Sequence, residues 1–264
     1  MKKSGFLIKT NKLKNNGFHI DIILSMKISI ITLFPKMISG FFEESIIKRA
    51  QNKKLVEIEI INLRDFAIDD YGSVDDRPYG GGAGMILRVD VIHKALTKVK
   101  SQKLKVKSSS QNSKVIITSP KGKVFDQKKA VEYSKLDNLI IIAGHYEDVD
   151  ARVLDYVDEE ISMGDFILTG GEIPASAIVD SVVRLIPGVL KKNQAIKNES
   201  FNINDKKLLE YPQYTRPEEF MGKKVPSVLL SGDPKKIRIW QEKQALEETR
   251  KKRPDLLDII KNRD

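Results

Sequence analysis

The sequence has no cysteine and only three histidines, His19, His93 and His145, which are far apart along its 264 residues. A disulfide framework is therefore excluded, and the residues offer no zinc or thiol site. No apolar run reaches the roughly 18 residues that a membrane-spanning helix needs. We expect a cytoplasmic protein with no membrane partner. Any catalysis must use carboxylates, arginine, lysine or tyrosine.

Acidic residues are the minority among the charged ones. The chain has 46 Lys and Arg against 36 Asp and Glu, a net charge of +10. A basic chain favours a polyanionic partner, because neutralising phosphates drives affinity for nucleic acid. Lysine-rich genomes produce the same composition, so charge alone leaves the partner open. More than half of the excess falls in residues 189–264.

Apolar, β-branched runs alternate with helical patterns over most of the chain. Strands are predicted at 27–34, 56–63, 114–120, 138–145 and within 158–172. Helices are predicted between and after them, at 37–50, 91–99, 125–136 and 173–186. This alternation predicts an α/β domain with a parallel sheet. Such sheets bind ligands in the loops beyond the carboxyl ends of their strands.

The two ends of the chain differ from this pattern. Residues 1–25 are basic, lack a signal-peptide cleavage site and precede Met26, where the first clean strand pattern begins. We expect them to be a disordered extension or the product of a misplaced start codon. Residues 189–204 are polar and without periodicity, typical of a flexible linker. Asp233 followed by Pro234 predicts the start of a basic helix, and 205–264 a small helical domain.

The most unusual stretch is DDRPYGGGAGM, residues 75–85. Glycines are entropically costly, so four within five positions indicate either a plain surface turn or a loop whose backbone approaches a ligand closely. Three further segments are expected at strand ends: SPKGK (119–123), GHYEDVD (144–150) and SMGDFILTGGEIP (162–174). Neither glycine-rich run fits a P-loop or a dinucleotide fingerprint.

In order along the chain, nine motifs carry a family resemblance. They are ITLFP (31–35), DDRPYGGGAGM, SPKGK, GHYEDVDAR (144–152), DEEISMGDFILTGGE (158–172), DSVVRLIPGVL (180–190), ESF (199–201), YPQYTRP (211–217) and VPSVLLSGDPKKIRIW (225–240). Together they closely resemble the bacterial tRNA (guanine-N1)-methyltransferase family, or TrmD family. The resemblance covers about residues 27–257.

This resemblance implies a SPOUT fold over residues 26–188, with a parallel sheet and a deep trefoil knot. It implies a homodimer that uses S-adenosylmethionine to methylate N1 of the guanosine immediately 3′ of the anticodon, position 37 of tRNA. The helical domain at 205–264 would bind tRNA, and no DNA partner is expected.

The resemblance also implies a set of site residues. The cofactor contacts would be Pro120, Gly144, Tyr146, Glu147, Met163, Gly164, Asp165, Phe166, Ile167, Leu168, Gly170, Gly171 and Pro174. The residues that meet the flipped guanine would be Asp76, Arg77, Tyr79, Gly80, Gly81, Gly82 and Met85. Glu199 would remove the N1 proton, and Arg184 would stabilise negative charge on O6.

Three positions depart from the family pattern. Glu199 stands where the family has aspartate, and GHYED has His145 and Asp148 where the family has arginine and glycine. Magnesium is expected to stimulate the reaction near Glu147, with no dedicated metal site. The departures keep open a non-catalytic RNA-binding module. A related knotted enzyme acting on ribose or ribosomal RNA is the other alternative.

Overall fold

The structure is a computed structural model that describes residues 10–15, 18–23, 25–103, 112–190, 199–203 and 207–257. The chain divides into two compact units, Met1–Leu190 and Lys191–Asp264.

The described residues of the first unit form ten strands. They are β1 (Thr10–Asn15), β2 (Phe18–Ile23), β3 (Met26–Thr32), β4 (Val56–Asn62), β5 (Asp75–Asp76), β6 (Ile86–Leu87), β7 (Ser113–Val124), β8 (Asn138–Ala143), β9 (Asp148–Val149) and β10 (Glu159–Ser162). Its α-helices are α1 (Ser39–Phe42), α2 (Ser45–Asn52), α3 (Val89–Lys103), α4 (Gln127–Tyr133) and α5 (Glu172–Val183). Three 3-10 turns lie at Pro35–Met37, Leu63–Phe66 and Ala151–Tyr156.

Five of these strands form the central sheet in the order β10-β7-β8-β3-β4. Every neighbouring pair in it is parallel, so the predicted parallel α/β sheet is confirmed. Helices cover both faces of a parallel sheet, so its strands need apolar side chains on both sides. The isoleucine-rich strands of this chain meet that requirement.

Alternate residues of each strand pack into different hydrophobic clusters, one on either face of the sheet. Ile28 and Ile30 pack with α2, α4 and α5, whereas Ile31 packs with α3. Leu139 and Ile141 of β8 likewise join the first cluster, and Ile140 and Ile142 the second. This alternation arises because successive side chains of a strand point to opposite faces of the sheet. The core is thus two apolar layers around one sheet.

The pairing of β7 with β10 is interrupted. Glu159 and Glu160 pair with Ile116 and Ile117, but Ile161 pairs with Lys123. Residues 118–122 of β7 therefore bulge between two paired stretches, and they include most of the predicted SPKGK loop. A Cβ at Gly122 would collide with the backbone of Glu160 and Ile161, which explains the glycine there.

Two predicted helices differ from the observed ones. The helix predicted at 37–50 is split into α1 and α2, and Ser45 at the break has a positive φ of 50°. The helix predicted at 125–136 is shortened to α4. Its start is set by Asp126, whose carboxylate accepts a hydrogen bond from the backbone N of Lys129 at 2.9 Å.

Residues 1–25 were predicted to be a disordered extension or the product of a misplaced start codon; their described part, β1 and β2, forms an antiparallel pair. None of the described helices is long and apolar enough to cross a membrane.

The second unit contains β11 (Glu219–Phe220), β12 (Lys223–Lys224), α6 (Ser227–Leu230) and α7 (Pro234–Lys252). The predicted cap is present, since the Asp233 carboxylate accepts from the backbone N of Lys235 at 3.0 Å. A small cluster of Ile203, Leu208 and Ala245 forms its core. Of the predicted linker 189–204, residues 191–198 and 204 lie outside the described residues.

Candidate active site

The candidate site lies beyond the carboxyl ends of β8, β7 and β3, where α5 begins. The backbone N of Gly171 donates to the carbonyl of Gly144 at 2.7 Å, and His145 pairs with Gly170 in an isolated antiparallel bridge. Pro174 follows in the first turn of α5. These contacts bring together two segments that the sequence assigned to the cofactor, although they are about 26 residues apart in the chain.

Steric crowding at this junction leaves room only for glycine. A Cβ on Gly171 would lie 2.9 Å from both Ala143 Cα and Gly144 N, closer than real Cβ contacts, and would also collide with the Thr118 hydroxyl. A Cβ on Gly170 would collide with His145 and with the Glu172 carboxylate. The close packing of Gly171 on Ala143 and Gly144, and of Gly170 on His145 and Glu172, therefore requires glycine at both positions.

A buried carboxylate lies beneath these glycines. Glu172 is 0% exposed, and its Oε1 accepts a hydrogen bond from the Thr32 hydroxyl at 2.8 Å. Its Oε2 lies 3.3 Å from His145 Nδ1. The His145 ring also packs against Phe34, with centroids 4.5 Å apart. Buried acidic groups are rare unless they are paired, so this cluster fixes the junction of β3, β8 and α5.

Glu172 and Thr32 lie within two of the family motifs but were not among the predicted site residues. The available signal was a glutamate at the head of the apolar helix EIPASAIVDSVV, directly after the glycine pair. Its partner, however, lies 140 positions away along the chain. No local pattern indicates that contact.

Tyr146 and Glu147 connect the cofactor segment with the glycine-rich loop. The backbone N of Glu147 donates to the carbonyl of Met85 at 3.3 Å, and β9 pairs with β6. Burial, together with the charge of Asp75, raises the pKa of the Tyr146 phenol. Tyr146 also has a positive φ of 61°, uncommon for an aromatic residue. The three-stranded sheet β5-β6-β9 thus holds the loop beside the cofactor segment.

The loop itself is open. Tyr79 is fully exposed, and a Cβ at Gly80 or Gly81 would meet no atom within 4 Å. Both glycines and Gly82 have positive φ, which explains why glycine occupies all three positions. Asp76 anchors the start of the loop: it accepts from the backbone N of Arg77 at 2.8 Å and pairs with Arg88 at 3.3 Å.

The remaining cofactor candidates lie in the same unit. Pro120 lies in the bulge of β7, and Met163, Gly164, Asp165, Phe166, Ile167 and Leu168 follow β10. The backbone of Gly164 hydrogen-bonds the Ser162 hydroxyl through both its N, at 3.1 Å, and its carbonyl, at 3.2 Å. Phe166 and Ile167 are exposed. They present apolar surface next to the turn.

A salt bridge lies beside the cofactor segment. Asp148, a departure from the family pattern, pairs with Lys121 of the β7 bulge at 2.5 Å, which raises the pKa of that lysine. The bulge is thereby tied to β9. Among the described residues, no group of three or more histidine, cysteine or acidic side chains could hold a metal ion.

The two catalytic candidates lie in different units. Arg184 is half-buried in the first unit at the C-terminal end of α5, where its backbone N donates to the Asp180 carbonyl. Glu199 is half-buried in the second unit, and its carbonyl accepts from the backbone N of Asn202 at 3.0 Å.

The comparisons with known proteins agree with the motifs. The family model described as tRNA (Guanine-1)-methyltransferase TrmD matches residues 26–259. The chain belongs to this family. Among its relatives, a protein of Dictyoglomus turgidum named tRNA (guanine-N(1)-)-methyltransferase is 51% identical over 88% of this chain and 90% of its own length. Proteins of the same name from Clostridium botulinum and Mycoplasma capricolum are 51% and 50% identical, over 88% and 89% of this chain and 92% and 93% of their own lengths. The predicted TrmD family membership is confirmed.

Proposed function

We propose that the protein is a tRNA methyltransferase that moves a methyl group from S-adenosylmethionine to N1 of guanosine 37, immediately 3′ of the anticodon. The observation that carries the proposal is the junction of Gly144 with Gly171 beside the glycine-rich loop, in a chain that belongs to the TrmD family. One candidate segment for the cofactor and one for the target base meet there through the contact of Glu147 with Met85.

The residues present fit an adenosine-containing cofactor. In this proposal the half-buried backbone at Gly144 and Gly170 offers polar groups to a base edge and a ribose, and the bond from Gly171 N to the Gly144 carbonyl holds the two segments together. The exposed Phe166 and Ile167 supply apolar surface for a planar base. S-adenosylmethionine, when bound, supplies an electrophilic methyl group on a sulfonium centre. The fit for magnesium is poorer, because Glu147 is a single carboxylate outside any described metal cluster, and we route no step through it.

The guanine must leave its stack to be methylated at N1. In this proposal the loop of residues 75–85 receives it, because three positive-φ glycines leave room for a planar base and Tyr79 offers an exposed ring. Arg77 adds positive charge for the neighbouring phosphates. The proposal includes a homodimer whose two chains share this pocket, a trefoil knot within residues 26–188 and a tRNA-binding domain at 205–264.

Neutral guanine carries a proton on N1, so the nitrogen is nucleophilic only when that proton leaves. Glu199 would accept that proton as the general base, which would leave the N1 lone pair free to take the methyl group that bound S-adenosylmethionine supplies. Arg184 stabilises the negative charge that develops on O6. Glutamate is one methylene longer than the family aspartate. A small shift of the backbone around residue 199 restores its distance to N1.

The test is methyl transfer from labelled S-adenosylmethionine to a tRNA transcript with guanosine 37, compared between the wild type and Glu199→Gln. General-base catalysis contributes about 100-fold to 10,000-fold, so we expect kcat to fall by at least about 100-fold. Glu218→Gln, the same chemical change at an exposed glutamate of the second unit, is the control and leaves kcat unchanged.

Three results would contradict parts of the proposal. Transfer that survives in Glu199→Gln removes this residue from the mechanism. Transfer to a transcript with adenosine at position 37 contradicts the assigned base. A wild type that binds tRNA and cofactor but transfers nothing favours the RNA-binding module.

A further inference from the structure

A groove outside the candidate site lies on the surface of the first unit, between α3 and the 3-10 turn Leu63–Phe66. Its volume is about 460 Å³. Its lining consists of Phe66 from the turn and five residues of one face of α3: His93, Lys94, Thr97, Lys98 and Ser101. None of the family motifs identified in the sequence contains these residues. The groove contains two lysines and no carboxylate.

The helical period explains why these side chains share a face. Val91, Ile92, Ala95, Leu96 and Val99 of α3 are at most 2% exposed and pack on the sheet. With 3.6 residues per turn, the positions between them must face outward. The burial of one face therefore fixes the groove residues on the other. His93 is held there by Tyr156, with ring centroids 4.7 Å apart.

Lys94 and Lys98 are a like-charged pair one turn apart, an arrangement that destabilises a helix slightly. Asp90, four positions before Lys94, is not available to relieve it, because both of its oxygens bond Arg88, at 3.1 and 2.9 Å. Among the described residues, neither lysine has an ion pair, whereas Lys27, Lys114 and Lys129 each contact two glutamates. The groove thus concentrates positive charge that the protein leaves uncompensated.

The groove is also well placed relative to the loop of residues 75–85. Helix α3 begins at Val89, two positions after β6 closes that loop. At a rise of 1.5 Å per residue, Lys94 and Lys98 lie about 8 and 14 Å along the helix from its start. An RNA whose target base enters the loop of residues 75–85 has backbone phosphates within about 8 to 14 Å along its chain, so they can reach both lysines.

We infer that the α3 groove binds the sugar–phosphate backbone of the tRNA substrate, away from the methylated guanosine. The inference rests on the proposed function for the identity of the RNA. Lys94 and Lys98 supply the charge, and the Thr97 hydroxyl and the His93 ring supply polar contacts. Contacts of this kind position an RNA and add affinity without reading its sequence.

The experiment measures binding of a full tRNA transcript to the full-length protein without cofactor, over a series of salt concentrations. The variant is Lys94→Gln with Lys98→Gln. The control is Lys128→Gln with Lys135→Gln, which removes the same charge from two exposed lysines in and after α4. Each lost phosphate contact lowers the slope of log affinity against log salt by about 0.7 to 0.9, so we expect a decrease of about 1.5 in the groove variant only.

Further readouts exclude a folding artefact. Thermal unfolding of all variants should match the wild type, because the four lysines are exposed. Lys94→Arg with Lys98→Arg keeps the charge and should keep the slope. In methyl transfer, the groove variant should show a higher KM for tRNA and an unchanged kcat.

An unchanged slope in the groove variant, or an equal decrease in both double variants, overturns the inference. Failure of the proposed function gives a different result. In that case the wild type binds tRNA without methylating it. The slopes of log affinity against log salt still decide whether the groove contacts the RNA.

Discussion

The central sheet has different chemistry at its amino and carboxyl ends. At the amino end, Glu159 bonds Lys114, Lys129 at 2.7 Å and the Tyr133 hydroxyl at 3.0 Å. These two ammonium groups hold the Glu159 pKa at about 2. At the carboxyl end, β8 leads into Gly144, and β10 leads into the segment that ends with Gly170 and Gly171. The buried carboxylate there, Glu172, has the Thr32 hydroxyl and His145 as its described partners.

The ion pairs at the amino end stabilise the sheet, whereas the contacts at the carboxyl end position the candidate site. Lys114 and Lys129 also contact Glu132, so opposite charges balance at the amino end and tie α4 to the sheet. At the carboxyl end, the Thr32 hydroxyl and His145 contact the buried Glu172, and the Lys121–Asp148 ion pair lies apart from it at the β7 bulge. A cofactor site needs a backbone that is held in a fixed position, whereas the amino end of the sheet needs satisfied charges.

The strongest test of this contrast is Gly171→Ala. Its Cβ would lie 2.9 Å from backbone atoms of Ala143 and Gly144, which cannot move aside without shifting β8. We expect a loss of about 3 kcal/mol in the free energy of unfolding, the upper range for overpacking. We also expect loss of cofactor binding in calorimetry.

The matched control for that variant is Gly40→Ala in α1, where a Cβ would meet no atom within 4 Å. Alanine is a better helix former than glycine, so stability should stay equal or rise by up to about 1 kcal/mol. Equal losses in the two variants would mean that the contact with β8 is not what makes Gly171 necessary.

The second test is Glu159→Gln at the amino end. A carboxylate whose folded pKa lies at about 2, below its ordinary 4.5, stabilises the fold above about pH 4.5. That contribution is lost as the pH falls from 4.5 towards 2. We expect Glu159→Gln to cost about 2 kcal/mol at neutral pH and little at pH 2. Chemical denaturation over this pH range checks it, and a constant difference would contradict it. Methyl transfer should persist in the folded variant.

The contrast also shows what the sequence could predict. The parallel sheet followed from apolar, β-branched runs, because such runs are buried on both faces only in this architecture. The start of α7 followed from Asp233 and Pro234, which act within one turn. Both predictions rest on residues that lie close together in the sequence.

The parts that the sequence did not predict depend on distant contacts. The small sheet β5-β6-β9 uses strands of two residues each, too short for any pattern. The register of β7 with β10 shifts between Glu160 and Ile161, and this shift depends on contacts between two strands that are far apart in the chain. The site residues came from motifs of a known family, and only their placement around Gly144 and Gly171 comes from the fold.

The smallest expected effect on stability comes from Glu172→Gln. The amide keeps an oxygen that can accept from Thr32 and places a donor near His145 Nδ1, so the free energy of unfolding should fall by only about 1 kcal/mol. Without the carboxylate, however, the position of the His145 ring and of the backbone at Gly170 is less fixed. We therefore expect KM for the cofactor to rise several-fold while kcat changes little. A variant that loses stability but keeps the wild-type KM would place Glu172 with the structural charges of the amino end, and the contrast between the two ends would fail.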